Sequence, residues 1–267
     1  MKNIVLAGLI AGLIAGAPSL ATAANLIPYE AQYSVTAGAG DRAPQIGTAR
    51  QKLGDGCLRT SFERDVNVAL SLTQTLRYDV KSILRATESK NGRVFDYTLD
   101  RTMNGEQSQR SGKIAGTTIG SSALVTSPNG AKIFNVPVGT LLPHRMVEAI
   151  LDHLQRGETQ FAVQAFDAEV VSNLVEVSVQ RVGAQDIAPR PQDAAVVAGI
   201  GAPAYPLQVT FSRVNGKPLF TAGILLHGNG VISRLIASFG PFTVAANLTG
   251  FTPLPQLRCA PPIRADQ

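Results

Sequence analysis

The stretch VNVALSLTQTLRYDV, residues 66–80, alternates apolar and polar side chains on both sides of a short polar break. Apolar residues occupy every second position from Val66 to Leu72, and the alternation resumes at Leu76. Successive side chains of a β-strand point to opposite faces of the sheet. The stretch therefore predicts two half-buried strands, each with one polar face.

The same period of two recurs along the chain, at residues 29–35, 95–99, 161–165, 171–179 and 207–211. Turn signals separate many of these runs, because the dipeptide Asn-Gly occurs at 91–92, 104–105, 129–130, 215–216 and 229–230. Both residues tolerate the positive φ that tight hairpin turns require. Together the runs and the turns predict a meandering antiparallel sheet.

Many strands with one apolar face need a closed or coiled sheet to bury that face and protect the edges. We therefore predict an all-β protein with minor α content. Its long antiparallel sheet would be strongly curved, forming a β-spiral or open barrel around a central helix. A sandwich of two sheets is the alternative.

One segment, VPVGTLLPHRMVEAILDHLQRG at 136–157, departs from the period of two. Pro143 suits the first position of a helix, and Gly157 suits its end. Four apolar side chains share one helical face: Val147, Ile150, Leu151 and Leu154. We interpret residues 143–155 as a structural helix that fills the curve of the sheet.

The histidines do not converge on a site. His144 and Glu148 are four residues apart, a spacing common on solvated helix faces. His153 follows His144 by nine residues, which places it half a turn away, so the two imidazoles cannot share a metal ion from one helix. His227 flanks a predicted turn. Known catalytic and phosphate-binding motifs are absent from the sequence, so we predict no catalytic, cofactor-binding or metal residues and no enzymatic activity.

Residues 1–23 have the features of a cleavable signal peptide. Lys2 precedes a short apolar run, and Ala21-Thr22-Ala23 has the small-residue pattern of a cleavage site. We expect cleavage after Ala23 or Ala24 and export of residues 24–267. No later stretch has the length and apolarity of a membrane span.

Charge and cysteine content limit the classes of partner and fold. The net charge is +5, with both signs mixed along the chain and no cluster of lysine and arginine, so we expect no nucleic-acid partner. The two cysteines, Cys57 and Cys259, would most simply form a disulfide after export, which favours a single domain. Residues 183–204 are rich in alanine, glycine and proline, and we interpret them as a long flexible surface loop.

Three segments carry a resemblance to a known family: VPVGTLLPHRMVEAIL from residue 136, YPLQVTF at 205–211, and the end of the chain, PLFTAGILLHGNGVISRLIASFGPFTVAANLTGFTPLPQLRCAP at 218–261. With an early cysteine and an exported β domain, they resemble the EipB family of periplasmic cell-envelope integrity proteins. The chain departs from the family pattern at Leu58-Arg59, where a glycine–aromatic pair is usual, and at Leu142-Pro143, where an aromatic precedes the proline.

The resemblance implies a periplasmic β-spiral like that of the LolA and LolB lipoprotein carriers, with helical elements inside its curve. It also implies a disulfide between an early cysteine and one near the C-terminus, the positions of Cys57 and Cys259. The family offers no catalytic residues to transfer.

We therefore predict a non-enzymatic periplasmic protein that supports cell-envelope integrity and stress resistance. It would bind a protein partner or an apolar envelope component. The alternative is a carrier of lipid or lipoprotein acyl chains, which requires an open concave face; a hydrolase is the least favoured hypothesis. The state of the concave face, open or filled, distinguishes the first two hypotheses.

Overall fold

The computed structural model describes residues 26–71, 77–117, 120–170, 174–214, 216–239, 242–257 and 259. The predicted signal peptide and both cleavage positions lie outside these residues. The strands are β1 (Tyr29–Ala37), β2 (Gln45–Asp55), β3 (Arg59–Ser71), β4 (Arg77–Ser89), β5 (Val94–Met103), β6 (Glu106–Thr117), β7 (Gly120–Ser127), β8 (Gly130–Val136), β9 (Gln160–Phe166), β10 (Leu174–Arg181), β11 (Ala204–Arg213), β12 (Pro218–His227), β13 (Ile232–Phe239) and β14 (Phe242–Pro253). The helices are α1 (Pro143–Gln155), α2 (Ala194–Ala198) and two 3₁₀ turns, Ala184–Ile187 and Pro191–Asp193.

All fourteen strands belong to one antiparallel sheet, in the order β8-β7-β6-β5-β4-β3-β2-β1-β14-β13-β12-β11-β10-β9. Neighbours in the sheet are also neighbours in sequence, except where β1 pairs with β14 in the middle. The prediction of a long antiparallel sheet is confirmed, and the two-sheet sandwich is not observed. Each predicted alternating run falls in a strand, although residues 72–76 and 171–173 lie outside the description.

The Asn-Gly pairs mark turns as predicted. At the β5–β6 turn Asn104 has φ +52° and Gly105 has φ +88°, the left-handed conformation at both central positions that a type I′ turn requires. The pairs at 91–92 and 229–230 also lie between consecutive strands, and the pair at 129–130 ends at Gly130, the first residue of β8. Asn215 is outside the described residues.

The sheet curves so strongly that its two halves meet. We call the face that bears Phe95 and Tyr97 of β5 the inner face. The Phe95 ring lies 5.8 Å from the ring of Phe166 at the end of β9, far along the strand order. Tyr78 of β4 likewise lies 5.7 Å from Phe242 of β14. The sheet is not closed, because its end strands β8 and β9 do not pair with each other.

Helix α1 packs against the inner face of the C-terminal strands. Ile150, Leu151 and Leu154 are buried in one cluster with apolar residues of β10 to β13, and Val147 packs against its margin. Pro143 occupies the first turn, directly after Leu142. The apolar stripe read from the sequence is therefore the side of the helix that meets the sheet.

The prediction that residues 143–155 fill the curve of the sheet requires correction, because α1 covers only the C-terminal strands. Over β4 to β7 the inner face is covered by Leu142, Phe166 and Ala168, which cluster with Phe95, Tyr97 and other buried residues of those strands. The connection before α1, the end of β9 and the segment after β9 therefore also fill the curve. Because they carry no helical period, their role could not be seen in the sequence.

The prediction of a long loop at 183–204 requires correction. The segment contains the two 3₁₀ turns and α2, and it packs on the outer face of the sheet. Ile187 is buried and lies against Gly223, where an added Cβ would come within 3.0 Å of the isoleucine side chain. Arg190 and Asp193 form a buried ion pair at 2.6 Å. A few anchors hold the segment, and such short helices leave no periodic pattern to detect.

The predicted disulfide joins Cys57 and Cys259, whose Cα atoms are 5.4 Å apart, within the usual range for a bridge. It fastens the chain beyond β14 to the connection between β2 and β3. Both cysteines are exposed. None of the helices in the described part of the chain combines the length and the apolar character that a membrane span requires.

Candidate functional site

A cluster of charged side chains lies on the inner face, where the segment after β9 meets β3, β5 and β6. Arg64 of β3 stands opposite Leu84, and Arg101 of β5 stands opposite Ser82, so the register directs both guanidinium groups inward. Glu169, just after β9, binds both arginines: it accepts a hydrogen bond from Arg64, and its Oε1 is 3.7 Å from Nη2 of Arg101. One carboxylate from the C-terminal half therefore joins two strands of the N-terminal half.

The surroundings of this cluster shift several pKa values. Burial would lower the pKa of the Arg64 guanidinium, but the carboxylates of Glu169 and Asp167 raise it overall. Burial, reinforced by Glu169, raises the pKa of Asp167 above its ordinary value. Burial also raises the pKa of Tyr29 to about 12. Arg64 thus stays charged beside Glu169, and Tyr29 stays neutral.

The same segment after β9 is held by backbone contacts. Arg110 of β6 donates from Nη1 to the carbonyls of Ala168 at 3.5 Å and Val170 at 3.4 Å. Two buried polar atoms beside it, Ser82 Oγ and Arg101 Nε, have no hydrogen-bond partner among the described residues. The contacts of Glu169 and Arg110 therefore hold the segment after β9 against the strands of the N-terminal half.

The N-terminus of α1 is fixed by a buried carboxylate. Glu88 on the inner face of β4 accepts hydrogen bonds from the backbone N–H groups of His144 at 2.7 Å and Arg145 at 3.2 Å. These N–H groups have no partner within the helix, and a carboxylate there also interacts well with the helix dipole. Burial nevertheless raises the pKa of Glu88 to about 7.

The helix histidines have separate partners, as their spacing predicts. His144 Nε2 lies 3.3 Å from Glu148 Oε1, which makes the i,i+4 pair a helix-side contact. His153 stacks on Phe161 with ring centroids 4.3 Å apart, and its Nδ1 is 2.7 Å from Glu158 Oε2. The described part of the chain brings no three metal-ligating side chains together.

His227 makes a contact that the sequence did not reveal. Its Nε2 is 2.8 Å from Ser233 Oγ, and its Nδ1 is 3.2 Å from the carbonyl of Ala202. Burial lowers the pKa of His227, so the ring is neutral near pH 7. Ser233 is only 2 % exposed and His227 3 %. A substrate carbonyl could not reach Ser233 Oγ in this arrangement, and the pair instead fastens the β12–β13 turn to the 200–203 segment.

The family model described as EipB-like matches residues 20–255. This chain belongs to the EipB-like family. The match spans all fourteen strands and α1, so the resemblance read from the sequence is confirmed.

A solved structure supports the fold of this family member. The crystal structure of a β-barrel-like protein of a domain of unknown function from Brucella abortus is similar with a TM-score of 0.74 and 16 % identity. The similarity covers 87 % of this chain and 100 % of that one. At this identity the likeness establishes the fold alone. No curated protein matches the sequence.

Proposed function

We propose that this EipB-like protein is a non-enzymatic protein of the periplasm that supports cell-envelope integrity by binding a protein partner. One observation favours a protein partner over a ligand bound on the inner face. The apolar residues of the inner face over β4–β7 and β10–β13 are already buried by the protein's own chain. The surface left for a partner is then the outside and the edges of the sheet.

The filled inner face counts against the alternative of an acyl-chain carrier. A lipid chain binds through contact with apolar surface, in proportion to the area it buries. Phe95, Leu99 and Val177 are each at most 3 % exposed, so they offer no such surface. A carrier would have to displace α1 or the segment after β9, and Glu169 ties that segment to β3 and β5.

Two features support the proposed periplasmic location and the proposed lack of enzymatic activity. An exposed disulfide persists in an oxidising compartment such as the periplasm. The polar groups that do converge, around Glu169, Glu88 and His227, serve contacts within the fold. None of them combines an accessible nucleophile with an activating base.

Deletion of the gene tests this proposal. We expect the deletion strain to become more sensitive to detergent and to cell-wall antibiotics, and wild-type protein to restore resistance. A form that lacks residues 2–23 is the matched control, because it should stay in the cytoplasm and fail to restore. Unchanged sensitivity across several envelope stresses would contradict the proposal.

A further inference from the structure

The two end strands of the sheet, β8 and β9, differ in whether other backbone pairs with their outer edges. Leu141 covers the C-terminal end of the β9 edge: its N–H donates to the carbonyl of Gln164 at 2.8 Å, and its carbonyl accepts from the N–H of Phe166 at 2.8 Å. β8 pairs with β7 on one side and with no other described strand. An unpaired strand edge presents a row of free backbone donors and acceptors that can pair with another chain.

The side chains at this open edge are apolar and exposed. Ile133 of β8 is 76 % exposed and stands directly opposite Leu124 of β7, which is 43 % exposed. Val138, just beyond β8, is also 76 % exposed. We call Leu124, Ile133 and Val138, together with the free backbone of β8, the edge surface. Its apolar groups lie next to unpaired backbone, as in sites that accept an added strand.

The charge of the edge surface limits what can bind there. From Gln107 to Thr140 the sequence has no aspartate or glutamate but contains Arg110, Lys113 and Lys132. Lys132 lies beside Ile133 in β8, is exposed, and forms no ion pair in the described part of the chain. An occupant with carboxylates on the face of Lys132 would complement this charge.

We propose that β8 accepts an extended segment of a partner protein as an added fifteenth strand, and that this segment alternates apolar with acidic side chains. Its apolar side chains would share the face of Ile133, and its acidic side chains would share the face of Lys132. The seven residues of β8 offer an edge about 23 Å long. This inference rests on the proposed binding function and names its surface and the chemistry of its partner.

The charge favours a partner over a second copy of this chain. If β8 paired with β8 of another copy, both strands would bring Lys132 and no carboxylate to the contact. In the antiparallel register that pairs all seven residues, Ile133 faces Ile133 and the two Lys132 side chains lie diagonally on one face, where no carboxylate offsets their repulsion. An acidic strand turns the same lysine into an attractive contact.

A synthetic peptide provides the probe. We would measure binding of a blocked, fluorescently labelled peptide of the sequence VEVEVEVE by anisotropy, with VKVKVKVK as the charge-reversed control. Wild-type protein should bind the acidic peptide and not the basic one. Ile133→Asp should weaken binding about tenfold or more, since it puts a charge against the apolar contact. Lys132→Glu should reverse the preference between the two peptides.

Matched controls lie on β4, where Lys81 and Ile83 are also exposed. Lys81→Glu and Ile83→Asp should leave both affinities unchanged, and unchanged thermal midpoints would show that all four variants are folded. Hydrogen exchange should slow at amides within 131–136 when the acidic peptide binds. Absence of VEVEVEVE binding, or equal loss in the β4 controls, would overturn the inference.

A cellular test separates this inference from the proposed function. In the deletion strain Ile83→Asp should restore resistance, and Ile133→Asp should not. If Ile133→Asp restores resistance fully, the edge surface is not the functional one, although the envelope role would stand. If the deletion has no phenotype, the proposed function fails whatever the peptide does.

Discussion

Glu88 is a buried carboxyl that holds the start of α1 through two backbone N–H groups. Burial raises its pKa from 4.5 to about 7, so over this range the folded protein binds a proton that the unfolded chain releases. The free energy of unfolding falls with rising pH wherever the folded state binds more protons. The contribution of Glu88 to the free energy of unfolding is therefore fully present below about pH 4.5 and is lost as the pH rises to about 7.

We predict that Glu88→Gln flattens this pH dependence. Glutamine resembles the protonated carboxyl and cannot ionise, so the variant should lose less stability than the wild type between pH 4.5 and 7. Urea unfolding across that range measures the slope. Glu63→Gln, at an exposed position of β3, is the control and should keep the wild-type slope. Identical slopes for Glu88→Gln and wild type would contradict the assignment.

At the scale of elements, the sequence predicted the strands and the helix whose apolar residues recur at a regular spacing. The alternation at 66–72 placed β3, and the stripe through Ile150 and Leu154 placed the buried side of α1. The helices within 183–204 were missed, because two buried isoleucines and one ion pair anchor them rather than a repeating pattern.

The interior cluster lay beyond sequence reasoning for a different reason. Arg64 and Glu169 are 105 residues apart, and only the curvature of the sheet brings them together. The contact of His227 with Ser233 depends in the same way on a turn and on the 200–203 segment that covers it. Neither arrangement has a local signature.

The apolar face of α1 gives a prediction at this scale. Leu151 is fully buried, so Leu151→Ala should lower the free energy of unfolding by about 2–5 kcal/mol. Leu151→Asp should cost more, because it buries a charge without a partner. Arg156→Ala, at the exposed end of the helix, is the control. Chemical denaturation measures all three, and a mild effect of Leu151→Asp would mean that the helix does not pack as described.

For the whole molecule, the disulfide closes a loop of 202 residues. By the chain-entropy relation, such a bridge stabilises the folded state by up to roughly 5 kcal/mol. We therefore predict that reduction, or Cys57→Ser with Cys259→Ser, lowers the thermal midpoint by several degrees or more. Protein isolated without reductant should resist alkylation at both positions. Ready alkylation of both thiols would show that the bridge does not form in the cell.

We propose that the protein binds a partner rather than carries lipid, because its own chain fills the inner face over β4–β7 and β10–β13. Native mass spectrometry of protein purified from its own periplasm, with lipid extraction of the same sample, tests it most directly. We expect the mass of the mature chain alone and no stoichiometric lipid. A bound acyl lipid at one or more copies per chain would contradict it.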